Sequence, residues 1–155
     1  MKINGFADVC LRTLMLLGAQ QGEQLTSREI SERIGVPYHH VSKAVLELRR
    51  RGALDVARGR MGGARITEAG LALSVGGLLR SLDGHQDPVD CITSDGASCP
   101  LIAGCRLRSA LHRAREAFYA TLDGLTVEGL TASPSLVSLP LPLPLPGVRE
   151  ASGGA

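Results

Sequence analysis

At 155 residues, with 44% of them apolar, the chain is long enough to bury one real core and too short for two ordinary domains. The aromatic content is two Phe, two Tyr and no Trp, which disfavours an aromatic-rich β-sandwich and predicts a mainly α protein. The formal charge of +2 hides an asymmetry: residues 26–65 hold nine Lys/Arg against four Asp/Glu, a local +5, which leaves −3 for the remainder.

The start "MKINGFADVC" has no apolar run ahead of a small-residue cleavage site, and no stretch reaches the ~18 apolar residues of a membrane span. A cytoplasmic protein with no membrane contact is therefore expected. In a reducing compartment thiols bind metal or do redox work more often than they form structural disulfides.

Ile3, Phe6, Cys10, Leu14 and Leu17 follow the spacing of one helical face and predict a first helix over residues 3 to about 20. The stretch Thr26-Ser27-Arg28-Glu29 is a capping box, so a short helix starts there and stops at Gly35. Pro37 restarts the chain as a helix, in which Val41, Val45 and Leu48 continue the apolar face to about Arg51 before Gly52. Two helices joined by so short a Gly-containing turn form a helix-turn-helix. Next, "ALDVARGRMGGARIT" places two short strand-like runs around a basic, glycine-rich turn, the wing of a winged helix.

A further helix is expected over residues 67–82, opened by Thr67. A loop follows, and from Pro100 onward Leu107, Leu111, Ala114, Phe118 and Leu122 predict a long amphipathic helix. Its length, and the lack of a later element to cover it, point to packing on a twin helix from a second subunit. The tail "SLPLPLPLPGVREASGGA" alternates Pro with Leu, which blocks helix and central strand alike and predicts an extended or disordered terminus.

A helix-turn-helix enters the major groove by the first turns of its second helix, so Tyr38, His39, His40, Ser42 and Lys43 would face bases and phosphates, with a plain surface role as the other reading of His39 and His40. Arg28 reaches phosphate from the preceding helix, and Arg58, Arg60 and Arg65 on the wing track the backbone or a narrow minor groove. Double-stranded DNA accounts for the local charge. Arg49, Arg50 and Arg51 are better read as a solvated helix end.

Three of the four cysteines, Cys91, Cys99 and Cys105, fall in "DCITSDGASCPLIAGCRLRSAL". Spacings of seven and five intervening residues suit zinc poorly, since zinc sites favour close cysteine pairs and four ligands, whereas iron-sulfur clusters tolerate loop spacings. A thiol redox enzyme is the alternative from another class, but there is no C-x-x-C to support it, so no enzymatic activity is expected. Cys10 lies on the apolar face of the first helix and is read as a small buried hydrophobe.

With "ISERIGVPYHHVSKAVLELRRRGALDVARGRMGGARIT" and the cysteine loop in this order, the chain resembles the winged-helix iron-sulfur regulators, the family that includes NsrR and IscR, from about residue 1 to 130. IscR-like members carry C-x2-H at the third cysteine, where this chain has Arg108, so the resemblance is to the NsrR branch, which "FADVCLRTLMLL" also resembles. It implies a winged helix-turn-helix domain over 1–82, a cluster loop over 83–105, a dimerisation helix over 106–130 and a tail over 131–155. It also implies a homodimeric repressor with a 4Fe-4S cluster, or alternatively 2Fe-2S, held by Cys91, Cys99 and Cys105. Nitric oxide would attack the cluster and free the operator DNA. The alternative regulator in the same family senses redox or iron-sulfur status. Asp8 occupies the place of an acidic ligand that reaches the other subunit's cluster; an ion pair with Arg12 is the other reading. His112, two helical turns from Cys105, is the reserve fourth ligand, ahead of His85.

Overall fold

The computed structural model describes residues 3–59, 62–84, 91–92 and 98–132. Helix α1 runs Gly5–Ala19, α2 Ser27–Ile34 and α3 Tyr38–Arg50; the strands are β1 Leu54–Ala57 and β2 Gly63–Ile66. Then come α4 Glu68–Leu71, α5 Val75–Asp83, a single 3-10 turn at Ile102–Gly104, α6 Arg106–Leu122 and α7 Val127–Thr131. The mainly α winged-helix architecture expected from the sequence is the one found.

Local chemistry sets each boundary. The Thr26 hydroxyl accepts from the Glu29 N–H at 3.2 Å while the Glu29 carboxylate accepts the Thr26 N–H at 2.7 Å, the reciprocal box that opens α2. Gly35 closes α2 in the left-handed region at φ 66°, where a side chain would be strained. Helix α1 starts two residues later than the apolar spacing suggests, because the Asn4 side chain accepts the Ala7 N–H at 2.8 Å and caps it. Ile3 therefore precedes the helix, and both Ile3 and Phe6 are exposed, while Ala7, Val9, Cys10, Leu14 and Leu17 are buried. Helix α3 starts at Tyr38 with Pro37 as its cap.

Strands β1 and β2 form an antiparallel hairpin with Leu54 opposite Ile66 and Asp55 opposite Arg65. A bridge from Leu25 to Ala64 ties the hairpin to the chain ahead of α2. The main core gathers Cys10, Leu14 and Leu17 of α1 with Ile30, Val41, Leu48 and Leu54. A second cluster of Ala7, Val75, Leu79 and Tyr119 joins α1, α5 and α6.

The single helix expected over 67–82 is two. Thr67 caps α4 as expected, but the chain extends at Leu73 and Ser74. There Val127 N–H donates to the Leu73 carbonyl at 3.2 Å, Val75 N–H donates to the Leu125 carbonyl at 2.9 Å, and Ser74 Oγ donates to the Asp123 carbonyl at 3.0 Å. Those bonds to the segment after α6 need extended backbone, so the helix breaks, and the Ser74 hydroxyl caps its restart by accepting from Gly77 N–H. Helix α6 likewise starts at Arg106 rather than near Pro100, after the 3-10 turn. The later α7 packs mainly on α1, where a Cβ at Gly18 would sit 3.1 Å from Thr131, and reaches the α5–α6 cluster through Leu130. It also crosses the expected 130/131 boundary. Arg60, His85 and residues 133–155 of the Pro/Leu tail lie outside the described residues.

Candidate functional site

Helix α3 buries Val41, Ala44, Val45 and Leu48 and turns its other side outward. Tyr38, His39, His40 and Lys43 are exposed. The Arg28 guanidinium on α2 lies over the Tyr38 ring, 5.9 Å from its centroid, so the two helices of the motif share one cationic, aromatic edge. The His39 and His40 rings stand 4.0 Å apart. Ser42 differs: its Oγ is buried in the helix packing without a hydrogen-bond partner, so this rotamer offers no hydroxyl to a base.

The three arginines at the end of α3 divide. Glu47 accepts from both Arg50 and Arg51 at 2.7 Å, and those two bonds, Arg50 first, hold its carboxyl down at about 2. Arg51 also donates to Ser81 Oγ, which fastens the end of α3 to α5. The helix end is thus a salt-bridged brace rather than only the solvated end read from the sequence. On the wing Arg58 is exposed, while Arg65 is paired across the hairpin with Asp55 at 2.7 Å.

The cysteine loop joins α5 to α6. None of Cys91, Cys99 and Cys105 is in a disulfide. Cys99 N–H donates to the Cys91 carbonyl at 2.9 Å, beside a bridge between Ile92 and Ser98, so two of the three are held by backbone. Cys91 is buried. Cys105 is the cap of α6, its Sγ accepting the Arg108 N–H at 3.4 Å. It faces an open pocket of about 420 Å³ that His112 also lines. His112 Nδ1 lies 3.3 Å from Arg115, whose other guanidinium nitrogen is 4.0 Å from the Asp83 carboxylate.

Among the described residues no three His, Cys, Asp or Glu side chains converge where a lone metal ion would bind. A polynuclear iron-sulfur cluster asks for something else: separate thiolates, each on its own iron, carried on a loop. Three unbridged cysteines on one short segment fit that group and not a mononuclear zinc site. One protomer does not assemble Asp8 with the thiols; its carboxylate pairs with Arg12 Nε at 2.9 Å on the exposed side of α1. Cys10 is wholly buried in the core, and burial pushes its thiol up to about 12, which leaves it neutral and unsuited to ligation.

Sequence reasoning missed the cap at Cys105, although a hydrogen-bond acceptor three residues ahead of Arg108 is the spacing of a helix cap. It also missed the link from Arg115 to Asp83, which nothing in the linear spacing reveals.

Comparison with known proteins places these features. Residues 3–133 match the Rrf2 family, described as "Iron-dependent Transcriptional regulator". The chain is 45% identical over 137 residues to the HTH-type transcriptional repressor NsrR of Streptomyces coelicolor, covering 87% of this chain and 91% of that one. It is 35% identical over 131 residues to the HTH-type transcriptional regulator NsrR of Geobacillus kaustophilus, covering 84% and 89%. Among solved structures, CymR, the global cysteine regulator of B. subtilis, superposes with a TM-score of 0.63 at 24% identity over 85% of this chain and 97% of that one. IscR of T. potens superposes with a TM-score of 0.62 at 18% identity over 84% and 85%. At these identities the two structures speak for the fold.

Proposed function

Because the chain belongs to the Rrf2 family of transcriptional regulators, we propose that it is a homodimeric repressor that holds operator DNA with two winged helices and releases it in response to nitric oxide. Cys91, Cys99 and Cys105 would hold an iron-sulfur cluster of the 4Fe-4S type, with 2Fe-2S as the alternative form, and Asp8 of the other subunit would complete the ligand set. The cluster would supply iron able to react with nitric oxide. The 45% identity to a repressor named NsrR supports this reading.

The observation that carries it is the position of Cys105. It is at once the end of the cysteine loop and the cap of α6, so a ligand residue is built into the start of the helix that exposes Leu107 for a second copy. Loop order and helix order are then one matter, because an N-cap satisfies backbone N–H groups that have no other partner in the helix. From α6 the connection runs to α5, which packs on it, and from Ser81 of α5 to Arg51 at the end of α3. A loop whose cysteines no longer held iron would therefore loosen elements that reach the DNA-reading helix.

Asp8 has a part to play in the same switch. Paired with Arg12 in the single protomer, it must leave that exposed ion pair to reach a partner's loop, and an exposed pair costs only about 0.5 kcal/mol to break. The test is a titration of anaerobically purified, cluster-loaded protein with nitric oxide, following absorbance and operator binding together. Loss of DNA at a few equivalents is expected. If the absorbance bleaches while DNA stays bound, or if dioxygen and peroxide release DNA far more readily, the regulator senses redox or cluster status instead.

A further inference from the structure

The outward side of α3 carries one residue that its packing does not explain. His39, Lys43, Leu46 and Arg50 stand at helical spacing on one exposed stripe, opposite the buried Val41, Ala44, Val45 and Leu48. Leu46 is 66% exposed, in the middle of that stripe, with Lys43 one turn before it and Arg50, held by Glu47, one turn after. Lysine, glutamate or glutamine would serve the helix as well there and hydrate better. Lys43 one turn ahead, and the net +5 of residues 26–65, argue for a polyanion as occupant rather than an apolar protein surface.

Within a major groove filled by such a helix, the apolar feature of the base edges is the thymine C5-methyl group. We propose that Leu46 is a specificity residue that packs on a thymine methyl in each operator half-site. The inference rests on the DNA-reading role proposed above for α3 and names what that helix reads. It also separates two kinds of contact on one stripe: Lys43 meets phosphate and contributes affinity irrespective of sequence, while Leu46 contributes choice of base.

Duplexes selected from a random library by the cluster-loaded dimer supply the probe, and each thymine of a recovered half-site is then replaced singly by deoxyuridine, which deletes only the methyl. At one thymine the replacement is expected to weaken wild-type binding about fourfold, the transfer value of one carbon group. Leu46→Ala should lose a similar factor on the unmodified duplex, show no further loss with uracil at that position, and keep the wild-type salt slope, which reports intact folding and phosphate contact. Two results overturn the assignment: uracil without effect at every thymine, or a uracil penalty undiminished in Leu46→Ala. If the wild-type dimer enriches no sequence at all, the DNA-reading role of α3 has failed, and the Leu46 assignment falls with it.

Discussion

The phenol of Tyr119 on α6 donates to the carboxylate of Asp83, the last residue of α5, directly before the cysteine loop. Arg80 stacks over the same ring at 5.3 Å and bridges Glu116 and Asp123 at 3.0 Å. Helices α5 and α6 approach so closely here that a Cβ at Gly76 would collide with the Tyr119 carbonyl. The α5 end of the loop is therefore clamped by one buried tyrosine to the far half of α6.

Tyr119→Phe keeps the ring and removes the hydrogen bond, leaving a part-buried carboxylate with one donor fewer. A loss of about 1–2 kcal/mol in urea unfolding is expected. Burial first, and Asp83 second, push the Tyr119 phenol up to about 12 from its ordinary 10. A raised pKa means that the folded state holds its proton longer, so this contribution is intact below pH 10 and is lost as pH rises towards 12. The difference in stability between wild type and Tyr119→Phe should shrink across that window; a difference that stays constant from pH 9 to 12 contradicts the assignment.

Glu47 gives the opposite limb. Its folded carboxyl sits near 2 against 4.5, so its contribution is present above pH 4.5 and disappears as pH falls towards 2. Glu47→Gln should be less stable than wild type at pH 7 and converge with it in acid, by denaturant unfolding at each pH. Parallel curves down to pH 2 would show that the Arg50 and Arg51 pairs are idle.

Leu107 is 63% exposed near the start of α6. Placed against a second copy, Leu107→Glu puts two carboxylates into an apolar seam, and a shift from dimer to monomer in sedimentation is expected, with operator affinity falling at least tenfold. Retention of a full-strength dimer would move the interface elsewhere.

On the wing, Arg58→Ala should weaken operator binding and lower the salt slope by about one, as loss of one phosphate contact does. Arg60→Ala is expected to behave alike. Arg65→Ala should cost less, since its guanidinium is already engaged by Asp55 at 2.7 Å. Equal losses at Arg58 and Arg65 would mean that the Asp55 pair opens freely on DNA.

Alanine at Cys91, Cys99 or Cys105 should each abolish the iron and sulfide content of protein purified without oxygen, and Cys10→Ala should keep both. Asp8→Ala is expected to lower cluster content or its lifetime. Cluster loss in Cys10→Ala with retention in Asp8→Ala would reverse the ligand assignment.

The helix-turn-helix, the wing and the cysteine loop were legible in the linear chain because each is written in local code. The capping box at Thr26, the αL stop at Gly35 and the hairpin around the wing need only neighbours a few residues away, and the buried faces of α1 and α3 follow a period that sequence displays. What the tertiary structure alone decided involves partners far apart. The break at Ser74 exists because Asp123, Leu125 and Val127 bond to that stretch from some fifty residues away, against a run of leucines that would otherwise continue as helix. The clamp of Tyr119 on Asp83 and the fastening of Arg51 to Ser81 likewise join groups about thirty residues apart, and the burial that sets the Tyr119 phenol exists only once α5 and α6 have met. Hydrogen bonding and desolvation act over a few ångströms of space, whereas periodicity acts along the chain, and so the elements could be read before folding but the contacts joining the loop to the DNA-reading helix could not.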